Sequence, residues 1–399
     1  MDLKNKNILL GVTGGIAAYK SPGICSLLRK KGANVKVVMT KAATEFVSTM
    51  TFQTMSDNFV YTTMFPEVST ELGVEHIELA KWTDIIVIAP ASANTIAKIA
   101  NGIADDLLST IMLASRSKII IVPAMNTFML NNIATRENLK TLKDRDMIVL
   151  GTQVDLLACN EVGDGKMLEP SEIVDEIDTV LRKKDLLNKK VLVTAGPTIE
   201  KIDPVRYITN HSSGKMGYNL ATEAMKRGAK VTLISGPSNL DIPKVDNFIQ
   251  IESTEEMYNA VMENFENCDV LIKSAAPADF KPLHSSDEKI KKETQDGKMT
   301  IELTENPDIA KKSGEMKTSQ FILGFAAESE NEIENAKKKI KRKNFDMIVV
   351  NNIKRKDAGF KSDNNEVTII DKNDNIEKLD LMSKTDLANE ILNRIVKII

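Results

Sequence analysis

Short apolar runs separated by helical stretches are the feature of this 399-residue chain that most restricts its fold. Such runs, bounded by turn residues, are typical of the buried strands of parallel α/β sheets. In the first half of the chain the predicted strands are residues 8–13, 35–40, 84–90, 118–124 and 147–150. The helical stretches between them are 16–31, 95–100 and 106–115. Short connections and right-handed crossovers then predict a doubly wound sheet.

The same pattern restarts after a polar stretch. An amphipathic helix over 171–184 runs into the polar residues 182–185, and a new strand begins near 190. The strands predicted beyond it are residues 191–194, 230–235, 248–252, 269–275, 321–326 and 347–351. The helices that separate or follow them are 215–227, 255–265, 332–343 and 384–397. We therefore expect an α/β protein with two tandem Rossmann-like doubly wound domains, 1–187 and 188–399.

Composition restricts the setting and the partners. With 42% hydrophobic and 27% charged residues, the chain has the make-up of a globular protein. Its formal net charge of −3 provides no basic field for nucleic acid or anionic lipid. Three cysteines are too few for a disulfide framework, and no apolar run approaches the roughly 18 residues of a membrane helix. We expect a cytoplasmic protein that binds neither nucleic acid nor membrane.

Glycines follow the first predicted strand. Gly14 and Gly15 precede a helical stretch, where backbone amides can hold a phosphate. The dinucleotide spacing G-x-G-x-x-G is absent, and the second strand ends in Thr40 rather than in an acidic residue. This disfavours a nicotinamide-dependent reductase and favours a mononucleotide. A tight turn would explain the glycines equally well.

Two further strand ends carry small polar residues. One segment, 89–95, contains Ser92, Asn94 and Thr95, and the other, 123–126, ends in Met125 and Asn126. Ligands of open α/β sheets bind at the carboxyl ends of strands, so these segments predict a cradle for a phosphate and a ring. Helix capping by Ser92 or Asn94 is the alternative.

The segment Pro-Ala-Met-Asn-Thr-Phe-Met at 123–129 resembles the signature of the homo-oligomeric flavin-containing cysteine decarboxylases. Leu130 replaces the tryptophan that often closes this signature. The resemblance implies a flavodoxin-like first domain that binds FMN. The residues that it assigns to FMN are Gly14, Gly15, Thr40, Ser92, Asn94, Thr95 and Met125.

The resemblance also implies a mechanism. In this family the flavin oxidises the cysteinyl thiol to a thioaldehyde, which lets the carboxylate leave as carbon dioxide. His76 would assist thiol deprotonation, and Asn126 would hold the carboxylate. Residues 157–167 resemble the flap of the phosphopantothenoylcysteine branch, with Cys159 as the proton donor of the reducing step. Asn160 and Lys166 replace the usual glycine and arginine of that flap.

Two relatives of the first domain remain as alternatives. A peptide-cysteine decarboxylase would lack Cys159, and would not carry the second domain. A non-catalytic flavoprotein regulatory subunit would keep His76 but lose Asn126 or Cys159. The three residues are all present.

The second domain begins with two motifs, at 194–200 and 203–217. Ser212, Ser213 and Gly214 are predicted to cap a helix whose amides can hold an anion, and Lys215 could add charge. Met216 follows the Gly-Lys pair, so this is not a Walker A loop. The two motifs together resemble those of the phosphopantothenate–cysteine ligases.

This second resemblance implies CTP-dependent ligation of cysteine to 4′-phosphopantothenate through an acyl-cytidylate, usually with Mg²⁺. Asn210 and Arg206 would act at the acyl-nucleotide, and Lys289 would assist transfer from a polar arm over 283–304 with a turn at Asp296-Gly297. The product, phosphopantothenoylcysteine, is the substrate of the first domain. The resemblance further implies a homo-oligomer with trimeric flavin domains and dimeric ligase domains, for which a dodecamer is one arrangement.

Nucleotide contacts are carried over from the same family. Asp279 is a ribose or metal contact, and Lys339 and Lys343 match triphosphate-binding positions. A solvated helix face is the alternative explanation for residues 337–343. The full set is Ser274, Ala275, Ala276, Asp279, Lys289, Asn306, Pro307, Asp308, Ile309, Phe325, Lys339 and Lys343.

Overall fold

The structure is a computed structural model that describes residues 3–65, 75–156, 162–291, 299–328, 331–352 and 363–399. The chain forms two compact units, Met1–Leu181 and Arg182–Ile399. Within the described ranges, no helix combines the length and the apolar character that crossing a bilayer requires.

The first unit is built on a six-stranded parallel sheet with the order β3-β2-β1-β4-β5-β6. Its strands are β1 Asn7–Val12, β2 Asn34–Met39, β3 Val60–Tyr61, β4 Ile85–Ala91, β5 Lys118–Pro123 and β6 Ile148–Val149. A separate hairpin pairs β7 Gln153–Leu156 with β8 Val162–Lys166. Without the two-residue edge strand β3, the order is that of flavodoxin, 2-1-3-4-5.

Helices cover both faces of this sheet. They are α1 Ser21–Lys30, α2 Lys41–Thr44, α3 Thr49–Ser56, α4 Glu75–Trp82, α5 Ala93–Asn101, α6 Leu107–Ala114, α7 Thr127–Asn131, α8 Ile133–Asp144 and α9 Pro170–Leu181. One apolar cluster packs α1 and α9 against one face, and a second packs α4, α5 and α6 against the other. Strands β1 and β4 are buried because both faces are covered.

The predicted helix over 16–31 is wrong at its start. A 3-10 turn, Ile16–Lys20, precedes α1. Pro22 lies in the first turn of α1, where its missing N–H is tolerated, so the α-helix begins there and not at the glycine loop.

The second unit contains an eight-stranded sheet with the order β13-β12-β9-β14-β17-β18-β19-β20. Its strands are β9 Lys190–Ala195, β12 Lys230–Ser235, β13 Asn247–Gln250, β14 Val270–Lys273, β17 Phe321–Glu328, β18 Met347–Asn352, β19 Asn364–Asp371 and β20 Ile376–Ser383. The first six follow the order 3-2-1-4-5-6 and pair in parallel, whereas β19 and β20 form an antiparallel edge. The two doubly wound sheets that the sequence predicted are confirmed.

Five longer helices pack on this sheet. They are α10 Lys215–Lys226, α11 Thr254–Phe265, α12 Ile309–Met316, α13 Glu332–Lys343 and α14 Lys384–Val396. Two antiparallel ribbons lie outside the sheet: β10 Ile199–Lys201 with β11 Tyr207–Thr209, and β15 Phe280–Pro282 with β16 Leu303–Glu305. The second ribbon flanks the predicted polar arm, whose turn at Asp296-Gly297 lies outside the described residues.

Candidate active sites

A cavity of about 570 Å³ opens at the carboxyl ends of β1, β4 and β5 in the first unit. This is where the strand order of a doubly wound sheet reverses and where such sheets bind ligands. Its lining residues are Gly14, Gly15, Ile16, Ala17, Tyr19, Lys20, Ser92, Ala93, Ala124, Met125, Asn126, Met129, Gly165, Lys166 and Met167. The glycine loop and the Met-Asn segment therefore meet in one chamber.

At this cavity the glycine loop packs closely against Ala42. A Cβ atom at Gly14 would lie 2.5 Å from the Cβ of Ala42, so only glycine fits there. Ser92 caps α5, and its hydroxyl accepts a hydrogen bond from the backbone N of Thr95 at 3.3 Å. The positive end of α5 therefore adjoins the glycine loop, and together they can hold a phosphate.

The signature loop is tied to the neighbouring hairpin. The backbone N of Met125 donates to the carbonyl oxygen of Gly165 in β8 at 3.1 Å. Asn126 caps α7, with its Oδ1 accepting from the N of Phe128 at 2.8 Å. These bonds hold Asn126 at the wall of the cavity.

Lys20 is a cavity residue that the sequence analysis missed. Its side chain is buried, and its ammonium donates to Glu169 Oε1 at 2.6 Å and to the carbonyl of Met167 at 3.2 Å. A lysine five residues after the second glycine of the loop was the available signal. Its ion pair with Glu169 ties the 3-10 turn at the cavity to the segment that precedes α9.

Four predicted residues of the first unit do not line this cavity: Thr40, His76, Asn94 and Thr95. Thr40 caps the short helix α2, Thr95 is buried behind Ser92, and Asn94 is exposed. His76 is half-buried and is the second residue of α4, directly after Glu75. Cys159 lies outside the described residues.

The second unit contains two adjoining cavities, of about 530 and 400 Å³, which share Ala275, Asp279, Phe325 and Lys339. The first is further lined by Asn210, His211, Ser212, Ser213, Gly214, Lys215, Met216, Ser274, Ala276, Ala326, Asn351, Asn365 and Lys384. Gly214, which was predicted to cap α10 together with Ser212 and Ser213, is the N-cap of this helix, and its backbone N donates to the Ser212 hydroxyl at 3.3 Å. Its first-turn amides face this part of the site.

The second of these cavities carries most of the predicted nucleotide contacts. It is further lined by Thr254, Lys273, Pro277, Ala278, Phe280, Glu305, Asn306, Pro307, Asp308, Ile309, Ala310, Gly324, Arg342, Lys343 and Phe345. Although burial opposes its ionisation, the ion pair with Lys343 holds the pKa of Asp308 below its usual value. Burial, with the nearby Lys343 and Lys339, lowers the pKa of Lys273 to about 8. Lys273 was not predicted.

Asn306 has an unsatisfied acceptor in this second cavity. Its Nδ2 donates to the carbonyl of Ala278 at 3.0 Å, whereas its buried Oδ1 has no hydrogen-bond partner among the described residues. A ligand N–H group could supply the missing donor.

Of the three predicted catalytic residues of the second unit, one lines a cavity and two do not. Asn210 lines the first cavity, but its Nδ2 donates to the carbonyls of Ala276 and Pro277, at 3.3 and 2.9 Å. Arg206 and the exposed Lys289 line neither cavity in the part of the chain that is described.

Arg206 instead holds the start of the arm. Its Nε donates to Asp203 at 2.9 Å, and its terminal nitrogen donates to the carbonyl of Ile290 at 2.9 Å. Hydrogen bonds from Arg206 hold the pKa of the Asp203 carboxyl far below its usual value.

Within the described ranges, no group of three or more histidine, cysteine, aspartate or glutamate side chains could hold a metal ion. Asp279, the predicted metal contact, lies on the wall that the two cavities share. One protein carboxylate supplemented by substrate phosphates is an arrangement that Mg²⁺ accepts.

Comparison with known proteins covers both units. The family model described as "Flavoprotein" matches residues 1–182, and the model described as "DNA/pantothenate metabolism flavoprotein C-terminal domain" matches residues 186–399. A solved structure of the C-terminal domain of coenzyme A biosynthesis bifunctional protein CoaBC is 42% identical, covers 54% of this chain and 98% of that one, and superposes with a TM-score of 0.47.

Curated relatives match over almost the whole chain. The coenzyme A biosynthesis bifunctional protein CoaBC of Bacillus subtilis (strain 168) is 46% identical over 397 residues, which is 98% of this chain and 97% of that protein. The protein of the same name from Haemophilus influenzae is 45% identical over 399 residues, 100% of this chain and 98% of that protein. The resemblance that the motifs predicted is confirmed: the chain belongs to the CoaBC family of bifunctional coenzyme A biosynthesis proteins.

Proposed function

We propose that the chain carries out two consecutive steps of coenzyme A biosynthesis. The second unit ligates cysteine to 4′-phosphopantothenate at the expense of a nucleotide, and the first unit decarboxylates the resulting phosphopantothenoylcysteine to 4′-phosphopantetheine. The observation that carries the proposal is that motif residues of each family converge on a cavity at the carboxyl edge of each sheet. Family membership supports the same pair of activities.

In the ligase step, the carboxylate of phosphopantothenate attacks the α-phosphorus of the nucleotide and pyrophosphate leaves. The amino group of cysteine then attacks the acyl carbon and releases the nucleoside monophosphate. Lys339, Lys343 and Lys273 surround the cavity that would take the nucleotide, and their charges suit a triphosphate. Asp279 on the shared wall would hold Mg²⁺ or the ribose.

Base recognition would use Asn306. Its unpartnered Oδ1 can accept from an N–H donor of the base, such as the exocyclic amino group of cytosine. We propose CTP, because the motif resemblance is to the CTP-using microbial fusions.

The proposed roles of Asn210, Arg206 and Lys289 need a rearrangement. For the Asn210 amide to donate to the acyl-nucleotide, its Nδ2 must leave the carbonyls of Ala276 and Pro277 when substrate binds. Arg206 fixes the first residues of the arm, so it would control where the exposed Lys289 reaches.

The cavity of the first unit fits a flavin mononucleotide. Gly14 and Gly15 line it beside Ser92, the N-cap of α5, and the lining offers no acidic residue for the second ribose of a dinucleotide. We propose that Gly14, Gly15, Ser92 and Met125 contact FMN directly, and that Thr40, Asn94 and Thr95 contribute by shaping the loops. When bound, FMN supplies reversible oxidation of the substrate thiol.

The protein's own side chains would bind the substrate and transfer protons to and from it. Asn126, which the loop bonds hold at the cavity wall, would bind the departing carboxylate. His76 would accept the thiol proton, and Cys159 would return a proton in the reducing step.

Assembly into a homo-oligomer is part of the proposal. Apolar side chains that line the first cavity are exposed, with Tyr19 at 62% and Ile16 at 61%. A neighbouring subunit that covers them would also close the cavity, which supports self-association of the first unit; its trimeric packing rests on the family resemblance. Dimeric packing of the second unit rests on the family resemblance.

One assay tests the two activities. The purified protein is incubated with 4′-phosphopantothenate, cysteine and each nucleoside triphosphate in turn, and pyrophosphate and carbon dioxide are followed together. We expect pyrophosphate with CTP, then carbon dioxide in equal amount. Pyrophosphate without carbon dioxide would refute the decarboxylase half, and the absence of both products would refute the ligase half.

A further inference from the structure

The motif at 194–200 contains a threonine to which the proposed mechanism gives no role. Thr198 is fully buried, and its hydroxyl lies 2.8 Å from the hydroxyl of Thr254, which is 1% exposed. Both hydroxyls contact the backbone of Ala278: its N donates to Thr198 Oγ1 at 2.9 Å, and its carbonyl accepts from Thr254 Oγ1 at 3.3 Å. Two buried hydroxyls therefore take up both backbone polar groups of one residue.

These bonds fix the direction of the contact between the two hydroxyls. A hydroxyl has one hydrogen, and that of Thr254 is donated to the carbonyl of Ala278. Thr198 must therefore donate to Thr254 while it accepts from the amide of Ala278. The result is a closed ring of three hydrogen bonds through Thr198, Thr254 and Ala278, here called the threonine ring.

The two threonines are themselves held by regular elements. The backbone N of Thr254, the first residue of α11, donates to Oε1 of the buried Glu200 in β10 at 2.9 Å. The carbonyl of Thr198 accepts from the hydroxyl of Thr209 in β11 at 2.7 Å. The threonine ring thus ties the β10–β11 ribbon and the start of α11 to the loop that follows β14.

That loop supports Asn306 in the 400 Å³ cavity. The Nδ2 of Asn306 donates to the carbonyl of Ala278 at 3.0 Å, and its backbone N donates to the carbonyl of Asp279 at 2.9 Å. The carbonyl of Ala278 therefore accepts from Thr254 and from Asn306 together. Because Nδ2 is held in this way, Oδ1 is the end of the Asn306 amide that is left for a ligand.

We infer that Thr198 and Thr254 are positioning residues for the nucleotide. The threonine ring fixes the peptide groups of Ala278, and the carbonyl of Ala278 fixes the orientation of the Asn306 amide. The inference rests on the proposed ligase function and adds residues that act through Asn306, since the hydrogen of each hydroxyl is already used within the ring.

The first test removes one hydroxyl. Thr198→Val keeps the shape of the side chain but breaks two bonds of the ring. It should raise the KM for CTP by about 10-fold and leave kcat and the KM for 4′-phosphopantothenate within about 2-fold. Thr198→Ser restores the hydroxyl and should restore the KM for CTP. Carbon dioxide release from added phosphopantothenoylcysteine should not change in either variant.

The matched control is Thr222→Val. The hydroxyl of Thr222 donates to the carbonyl of Tyr218 within α10 at 2.8 Å, and Thr222 is not among the described residues that line the two cavities. This variant should change neither KM.

The second test asks whether Thr198 acts through Asn306. In the Asn306→Ala background, adding Thr198→Val should change the KM for CTP by less than about 2-fold, because the amide that the ring orients is gone. Effects of the two substitutions that simply multiply would assign Thr198 to general packing and overturn the inference.

Other outcomes are equally decisive. An unchanged KM for CTP in Thr198→Val, or an equal rise in the KM for both substrates, would overturn the inference, whereas no pyrophosphate from the unaltered protein would refute the ligase function on which it rests. If Thr198→Val fails to fold, hydrogen exchange of the unaltered protein decides. The Ala278 amide should exchange slowly without nucleotide, and an amide that exchanges fast until CTP is added would contradict a preformed ring.

Discussion

The hydroxyl of Thr13 accepts a hydrogen bond from the backbone N of Ser92 at 2.9 Å. The same hydroxyl donates to the carbonyl of Pro90 at 2.7 Å, and Thr13 is fully buried. One side chain therefore joins the end of β1 to the end of β4, the two strands between which the sheet order reverses. It sets the distance between the glycine loop and the N-terminus of α5, which is the proposed phosphate site.

Thr13→Val should weaken both the first unit and its flavin site. The substitution keeps the shape but leaves the N–H of Ser92 and the carbonyl of Pro90 unpaired, which costs about 1–3 kcal/mol. Unfolding in urea can be followed by Trp82, the single tryptophan of the chain, which lies in this unit. Thr13→Ser keeps the hydroxyl and is the control; equal stability of the two variants would argue against the bridge.

Gly165→Ala should abolish flavin binding. Gly165 has a φ of +128°, and a Cβ atom there would lie 2.1 Å from the carbonyl oxygen of Met125, so β8 would be pushed off the signature loop. We expect purified protein without bound flavin absorbance and a loss of about 1–3 kcal/mol from strain alone. Gly151→Ala is the control, since no atom lies within 4 Å of a Cβ there. Normal flavin content in Gly165→Ala would show that the loop tolerates the shift.

The features of the fold and of the sites that could be predicted from sequence depend only on the order of strands and loops along the chain. Apolar strands followed by small polar residues placed the glycine loop, Ser92 and Met125 at one sheet edge, because parallel strands end on the same side. The structure brings these residues to one cavity. Lys339 was likewise expected at the ligase cavities and lines both of them.

The features that were not predicted are the antiparallel strands at the edge of the second sheet and the lysines whose side chains point into the protein. The β19–β20 hairpin was missed because β19 begins with polar residues and β20 mixes charged with apolar residues, so neither shows the continuous apolar run of the parallel core strands. Asn365 therefore could not be assigned to a cavity, although it is buried there. Lys20 and Lys273 were missed because a lysine is normally solvated, and burial of its ammonium is visible only once the fold is known.

Nucleotide affinity should depend on Lys273 and on pH. Its lowered pKa of about 8 means that the ammonium loses its charge as the pH rises through that value. CTP affinity, measured by calorimetry, should therefore fall between about pH 7 and pH 9 by up to about 10-fold. Lys273→Arg keeps its charge over this range, so its affinity should stay flat, and Lys273→Met should be weaker and also flat. A wild-type profile parallel to that of Lys273→Arg would contradict the prediction.

Arg182→Met should destabilise the second unit strongly. Arg182 and Glu223 form an ion pair of 2.8 Å with side-chain exposures of 4% and 1%, so the substitution leaves a buried carboxylate whose remaining cation, Lys226, is 3.6 Å away. The expected loss is about 3–5 kcal/mol, and replacing Glu223 by leucine as well should restore most of it. Hydrogen exchange of the amides in β9 and β12 reports the stability of this unit. Lys311→Met, which removes an exposed pair, should cost less than about 1 kcal/mol. If Arg182→Met exchanged no faster than this control, the residue would belong to a linker that contributes nothing to the fold.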